Sequence, residues 1–503
     1  MQINSICILG GGTSGFATAS VLAKYREKCG LKFDIKLVHS ESIGSIGVGE
    51  STLFSIRELF SYLDLKDSDW MLSCNATYKT SVKFENFYKT GRYFYYPFGI
   101  GDTSRSVTDW FILKEIFPET YTPERSSIYF HPGTIFNEEN KLTSDYVRDN
   151  AAYHFDSKLL GEFLQRYSED LGVEVVNDSF YGTEQDKYGN IESIVCDNGT
   201  YRADLFVDCS GFNSLLLGKT MSEEYISYDK TLINNKALVA KVSYTDKDKQ
   251  LKNYTNSVAL KNGWIWETPL WDCLAYGYVH TNMFATEEEI EEEFFEHVGE
   301  VDYRTVHFKT GRYNRGWVKN VVAVGLSYGF IEPLEATGIA TTLENVFRLL
   351  ECLSKRDLFV TQVDRDLFNH SIGQQIDNYK EFVGRHYYLS SRDDTEYWRY
   401  VTEVVDYNSS SNFLDKMIVT RNLSNKDNIG AWSGDLYVCC GMNYSCYSKA
   451  ITLSQNIKDN IPIDFEVMDV GDFLSSYKYQ MQLHSRRRRS ARGFARRKDP
   501  KLT

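Results

Sequence analysis

The chain predicts an α/β fold organised around a Rossmann-like dinucleotide-binding unit, and three stretches carry that expectation. The first is Ile6 to Leu9, a short apolar run followed by Gly10-Gly11-Gly12-Thr13-Ser14-Gly15 and the helix-forming Ala17 to Lys24. Gly10, Gly12 and Gly15 satisfy G-x-G-x-x-G in a strand–turn–helix setting. The second is Phe33 to His39, a second strand at the distance a βαβ unit requires. The third runs from His307 to Ala340: a glycine-bounded apolar run, Val321 to Gly325, precedes Glu332-Pro-Leu-Glu335-Ala-Thr-Gly338 and an apolar helical pattern from Ile339 to Leu350.

Each element has a local reason. Gly10 permits the tight turn, Gly12 lets a pyrophosphate approach the backbone, and Gly15 allows close helix–strand packing. The acid expected at the end of the second strand, to hold a ribose hydroxyl, is absent: His39 stands there, with Glu41 two residues on. The ribose contact therefore stays open while the pyrophosphate site stands. Residues Ala151 to Leu217 are expected to add a helix, a strand pair within Glu174 to Thr200, and the strand Leu205 to Asp208. Aromatic alternating stretches, Tyr93 to Phe98 and Ala275 to His280, read as sheet over a substrate cavity. Leu358 to Tyr388, with apolar residues at helical intervals, opens a helical C-terminal part. The expected organisation is a dinucleotide-binding domain split among residues 1–88, 151–220 and 305–355. A substrate-side region of 89–150 and 221–304, a helical region of 356–480 and a basic tail of 481–503 complete it.

Composition narrows the function class. At 503 residues, with 42% hydrophobic and 15% aromatic content, the chain has material for a large core. No apolar run reaches bilayer length and no signal-peptide pattern opens the chain, so a cytoplasmic location with no membrane partner is expected. The ten cysteines form no C-x-x-C pair and read as reduced core thiols, not as a metal site. A formal charge of −13 argues against nucleic acid as a partner. The charge is uneven: from Ser485 onward nine basic residues face Asp499 alone, leaving −21 on the remainder. That end reads as a solvated tail without an assigned role. Self-association is left open.

Three constellations could carry chemistry. Backbone N–H groups at a helix N-terminus bind anions, so Glu335 beside Thr337 and Gly338 would set a carboxylate next to an anion site; a merely capped helix is the alternative. Lys79 and Lys83 lie in Thr77-Tyr-Lys79-Thr-Ser81-Val-Lys83-Phe, an alternating strand pattern in which both read as solvent-face lysines. Trp264 and Trp266 alternate on a strand and share a face, a spacing that ordinary core packing also produces.

Several blocks together give these residues a context. They are GGGTSG (10–15), GVGEST (47–52), CNATYK (74–79), YPFG (96–99), AYHFD (152–156), ADLFVDCSGF (203–212), WIWETP (264–269) and GLSYGFIEPLEATGI (325–339). In this order the chain resembles the flavin-dependent halogenases, the family of the tryptophan halogenases. The resemblance implies an FAD-binding domain of the GR2 type, like that of flavin monooxygenases, with a substrate-binding sheet and a helical C-terminal part. It implies reduced FAD, oxygen and halide as reactants and electrophilic halogenation of an indole- or phenol-like ring through hypohalous acid. FAD would meet Gly10, Gly12, Thr13, Ser14, Gly15, Gly49, Glu50, Ser51, Asp208, Gly325, Gly338 and Ile339. Halide would meet Thr337 and Gly338. Lys79 would receive hypohalous acid and present the halogen, and Glu335 would position that acid or take the ring proton. Trp264 and Trp266 would shield the flavin, and Tyr96 and Phe98 would touch substrate.

The chain departs from the family pattern at three of these places. Tyr96 replaces a histidine, Thr268 an isoleucine, and Ala336 a common serine. The lost hydroxyl at Ala336 points to bromide or iodide over chloride. No second dinucleotide motif appears, so a separate flavin reductase is expected to deliver reduced FAD. The rival readings are a flavin-dependent aromatic monooxygenase, which needs neither Lys79 nor the paired tryptophans, and a catalytically inactive FAD-binding protein. Only 8 prolines, with abundant Tyr, Asn, Asp and Lys, hint at an AT-rich genome and a phage-encoded member.

Overall fold

The computed structural model describes residues 1–43, 47–99, 107–131, 134, 147, 150–407 and 433–443. At its centre a six-stranded sheet runs Trp317–Val318, Val321–Ala323, Leu205–Asp208, Ser5–Leu9, Asp34–His39, Glu174–Asn177. Every neighbouring pair is parallel except the terminal hairpin of Trp317–Val318 with Val321–Ala323. A parallel sheet covered on both faces needs near-continuous apolar strands. Ile6 to Leu9 and Leu205 to Val207 meet that need, and all are buried. The helix Thr13–Cys29 makes the crossover and ends at Gly30, whose φ of 62° is the left-handed cap that glycine adopts without strain. It packs against Ser157–Asp170 and Thr337–Ser354.

A seven-stranded sheet forms the second layer, in the order Arg304–His307, Lys236–Ser243, Cys273–His280, Gly263–Pro269, Tyr254–Ala259, Ser81–Glu85, Tyr93–Pro97. Between the two layers lies a three-stranded sheet, Gly49–Ser51, Ala152–Asp156, Thr77–Lys79, whose middle strand is buried at every position. Thr13–Cys29, Thr337–Ser354 and the 27-residue Gln362–Tyr388 supply the main helical cover. Among the described residues no helix is long and apolar enough to cross a membrane.

Three expectations change. The run from Thr77 to Phe84 is not one strand: it breaks at Thr80, whose N–H donates to Asn253 O at 2.8 Å, and the chain crosses there into the seven-stranded sheet. The seven-stranded sheet thus takes in Ser81–Glu85, ahead of residue 89, and Arg304–His307, at and past residue 304, so it does not follow the expected boundaries. The segment Glu174 to Thr200 holds more than a strand pair. Glu174–Asn177 joins the central sheet, and Phe180–Gln185 and Ile191–Cys196 pair in a separate meander with Thr200–Arg202. Asp178 sets that corner, accepting from Ser179 N, Asn198 N and the Tyr201 hydroxyl. Most of residues 408–480 and the whole basic tail lie outside the described residues.

Asp208 has a structural duty of its own. Its carboxylate is fully buried and turned into its own loop, where Oδ2 accepts from Leu216 N and Leu217 N at 2.8 Å each and Oδ1 from Ser210 N and Oγ. It shapes the loop that follows the strand Leu205–Asp208. Replacing Asp208 with Ala orphans several buried donors, each worth roughly 1–3 kcal/mol when left unpaired. Urea unfolding of Asp208→Ala should show a loss on the order of 3 kcal/mol or more; stability within experimental error of wild type would contradict this role.

Candidate active site

The carboxyl ends of parallel strands are where open α/β sheets bind ligands. Here Leu9, His39, Asp208 and Ala323 end their strands around the glycine loop. The approach is backbone against backbone: a Cβ on Gly15 would lie 1.9 Å from the Gly10 carbonyl oxygen, and one on Gly10 2.3 Å from Cys209 O. A Cβ on Gly12 or Gly338 would instead enter open space. Gly325 joins the same cleft, since its missing side chain would meet Ser14 Oγ at 2.5 Å and Thr342 Oγ1 at 2.9 Å. Residues more than three hundred positions apart thus come together at this one place. His39 lies flat against Gly11 and edge-on to Phe16, with ring centroids 5.6 Å apart, so an imidazole occupies the corner where a ribose-binding acid was expected.

Other expected cofactor contacts have structural duties here as well. The Thr13 hydroxyl donates to Ser157 O at 2.9 Å, and Gly49 leaves room for Ala275. Ser51 Oγ lies 2.7 Å from Thr255 Oγ1. Glu50 remains partly accessible, yet the surrounding protein pushes its carboxyl up to about 7. Ile339 is buried in the first turn of Thr337–Ser354.

Lys79 and Lys83, alike in sequence, part company. Lys83 pairs with Glu85 at 2.6 Å and lies over Tyr93. Lys79 is completely buried: its ammonium donates to Thr52 O at 2.9 Å and sits 4.8 Å above the Phe98 ring. Burial pushes its pKa down to about 7 against an opposing pull from Glu335. Phe98 meets Tyr96 edge-to-face at 5.8 Å, Tyr96 meets Phe382 at 6.3 Å, and Phe382 meets His386 at 5.4 Å. His386 Nε2 then stands 2.7 Å from Glu335 Oε1, both residues fully buried. A circuit of Lys79, Phe98, Tyr96, Phe382, His386 and Glu335 results. Thr52 lies within the quoted GVGEST block, but nothing in the sequence singled out Phe382 or His386.

Glu335 ends the 3-10 turn Pro333–Glu335. Ala336 follows in the left-handed region (φ 56°, ψ 36°), a strain of about 1 kcal/mol for a residue with a Cβ. The 18-residue helix Thr337–Ser354 starts at once, and the buried Thr337 Oγ1 has no hydrogen-bond partner among the described residues. Three residues before Glu335, the buried Glu332 carboxylate accepts from Asn234 Nδ2 at 2.8 Å, Trp264 Nε1 at 2.9 Å and the Tyr387 hydroxyl at 2.9 Å. Burial raises its pKa against those three donors. Trp264 is thereby fixed, and Trp266 lies 5.9 Å from it, its ring against Gly277. Glu332 sat in a quoted block without a role.

His154 connects the layers. Its strand neighbours in register are Ser51 on one side and Thr77 on the other. The Thr77 hydroxyl donates to Pro269 O at 2.6 Å, so it accepts from His154 Nδ1 at 3.0 Å. Nε2 therefore accepts from Thr255 Oγ1 at 2.9 Å, and Ser51 Oγ donates to Thr255. Burial, and secondarily the charge on Lys79, hold His154 well below the usual imidazole range and so neutral.

A family model described as tryptophan halogenase matches residues 5–444. The chain is 34% identical over 425 residues to the 7-chloro-L-tryptophan 6-halogenase KtzR of Kutzneria sp. (strain 744), a match covering 78% of this chain and 80% of that protein. It is 33% identical over 422 residues to the tryptophan 7-halogenase RebH of Lentzea aerocolonigenes, covering 79% and 78%. The VirX1 apo structure superposes with a TM-score of 0.85 at 34% identity, covering 96% of this chain and 97% of that one.

The buried lysine has a thermodynamic signature. Its folded pKa of about 7 lies below its ordinary value of 10.5, so between those limits the unfolded chain binds more protons and Lys79 adds stability as pH rises. Lys79→Met removes that gain. Unfolding measured across this window should show the variant most favoured relative to wild type near pH 7, the difference shrinking toward pH 10.5. A pH-independent difference would mean that Lys79 keeps its ordinary pKa.

Proposed function

The chain belongs to the tryptophan halogenase family of flavin-dependent halogenases, and from that premise we propose how its own residues work. It uses reduced FAD, oxygen and halide to halogenate electron-rich aromatic carbon, indole- or phenol-like, with bromide or iodide favoured over chloride. One observation carries the reading: a completely buried lysine, held between a carbonyl and an aromatic face, within the field of a buried glutamate. Such a lysine is costly to keep in the core unless chemistry requires it.

FAD would bind where space opens at Gly12 and Gly338 and the backbone comes close at Gly10, Gly15 and Gly325, and Glu50, Ser51, Ser14 and Ile339 would meet it there. Bound there, reduced FAD would supply two of the four electrons that oxygen takes up, halide supplying the other two, giving hypohalous acid and water. With no second dinucleotide motif in the chain, a separate flavin reductase delivers that cofactor. The unpartnered Thr337 hydroxyl and the first-turn N–H groups, Gly338 included, hold halide. Trp264 and Trp266 keep the aromatic substrate apart from the cofactor. Phe98 and Tyr96 present flat apolar surface to the ring.

Lys79, with a pKa near 7, offers both an N–H donor and a free amine to hypohalous acid, so hydrogen bonding and haloamine formation are both open to it. Glu335 positions that acid or takes the ring proton. Dehydration and oxidation both become easier from chloride to iodide. Ala336 offers no hydroxyl to a small, strongly hydrated chloride.

Lys79→Ala should abolish organic halogenation while FAD binding and oxygen consumption persist, and Lys83→Ala should turn over near wild type. Equal loss in both would remove the functional distinction between them. With equal concentrations of the three halides and product read by mass spectrometry, bromide or iodide should dominate, and Ala336→Ser should recover chloride use. Chloride outcompeting both larger halides would defeat the preference.

A further inference from the structure

We propose that Ser51 is a fixed hydrogen-bond acceptor for the bound flavin cofactor, oriented by a chain of Thr255, His154 and Thr77 that ends on the Pro269 carbonyl. This rests on the FAD reading above and gives positioning roles to three residues that have none in it.

The polarity of the chain follows from its closed end. A carbonyl oxygen only accepts, so the Thr77 hydroxyl donates its one hydrogen to Pro269 O at 2.6 Å. Thr77 Oγ1 therefore accepts from His154 Nδ1 at 3.0 Å. In a neutral imidazole Nε2 then holds the lone pair, and it accepts from Thr255 Oγ1 at 2.9 Å. With the Thr255 hydrogen committed there, the 2.7 Å contact between Ser51 Oγ and Thr255 Oγ1 is a donation from Ser51. Ser51 Oγ is left with lone pairs alone.

A protonated His154 would turn the bonds through Thr255 around. Full burial beside the Lys79 charge opposes that, and both partners of the ring are neutral hydroxyls that could not offset a second buried cation. The strands hold the chain in place: Ser51, His154 and Thr77 lie side by side across the three-stranded sheet, and Thr255 comes from the seven-stranded sheet. Rotating any one member orphans a buried neighbour.

Ser51 is the end of the chain that a ligand can reach. It is half-buried, whereas Thr77, His154 and Thr255 are buried, and among the described residues no group donates to its oxygen. Its strand is tied to the glycine loop. Ser157 N and Oγ both donate to Val48 O, just before Gly49–Ser51, while Ser157 O accepts from the Thr13 hydroxyl. An anion at Ser51 would face lone pairs, so this hydroxyl does not serve halide. FAD offers N–H and O–H donors, and reduction of its ring adds N–H groups; hydrogen bonds to ring nitrogens are one means by which a protein tunes a flavin.

The experiment titrates FAD into the full chain and follows tryptophan fluorescence, with oxidised FAD in air and with dithionite-reduced FAD under anaerobic conditions. Wild type is compared with Ser51→Ala, Thr255→Val, Thr255→Ser and the double variant Ser51→Ala/Thr255→Val. Ser51→Ala should weaken binding roughly threefold to tenfold, the size of one hydrogen bond. Loss for both forms assigns the bond to a donor present in both, and loss for the reduced form alone assigns it to an N–H that reduction creates. Thr255→Val, which frees the Ser51 hydroxyl, should weaken binding as well, while Thr255→Ser, which keeps both bonds, should match wild type. The double variant should bind like Ser51→Ala, because Thr255 acts through Ser51. Wild-type affinity of Ser51→Ala for both forms, or additive losses in the double variant, would overturn the proposal. Should Thr255→Val fail to fold, Ser51→Ala decides by itself: weakened binding supports the proposal and wild-type affinity overturns it. Wild-type protein that binds FAD in neither state would overturn the FAD reading itself, and this proposal with it.

Discussion

A lysine ammonium with no access to water governs the arrangement of this site. An ammonium taken from water into the core loses several kcal/mol of hydration even after relaxation. Here one carbonyl, Thr52 O, one ring face, Phe98, and the charge of Glu335 offset part of that loss. The remainder appears as a pKa near 7. Each compensating group comes from a different part of the chain, so the lysine is tolerable only once all of them are assembled. Thr52 is held in turn by two hydrogen bonds to Tyr153 O and one from Tyr153 N.

The site lies at a seam between sheets, and buried polar groups close that seam. His154 ties the strand carrying Lys79 to Gly49–Ser51 and, through Thr255, to the seven-stranded sheet. Glu332 gathers donors from Asn234, Trp264 and Tyr387, which belong to a connecting segment, a central strand and the long helix. Such networks are strong when every member is satisfied, and breaking one leaves a buried group exposed to no partner. The benefit is geometry: the loop from Glu332 to Thr337 is anchored at one end by three donors and at the other by a helix start, with Glu335 between. The left-handed Ala336 is the local strain that makes so abrupt a junction.

The surroundings of the lysine are aromatic. Phe98, Tyr96, Phe382, Phe84 and Tyr437 make ring-on-ring contacts on this side of the site. The tryptophan pair lies near this wall without joining it, because Trp264 is turned to Glu332 and Trp266 to Gly277.

The amino-acid sequence by itself determined the glycine loop, the strand–helix–strand unit around it, the aromatic strands and the helix after Glu335. These follow from short-range rules: which backbone angles glycine permits, how close two backbones come without a Cβ, and how apolar residues repeat along a strand or helix. Alternation alone did not distinguish Lys79 from Lys83, which sit an even number of residues apart and share one pattern; only the resemblance carried by the block ending at Lys79 singled it out. Only the break at Thr80, set by a bond to Asn253 far along the chain, sends them into different sheets. Nor did it mark Asp208 as a loop anchor or pair His386 with Glu335, across fifty residues and two elements. Backbone periodicity is a local property and is written locally. Burial, and the partner a buried charge finds, depend on contacts between distant segments, and only the tertiary structure decides them.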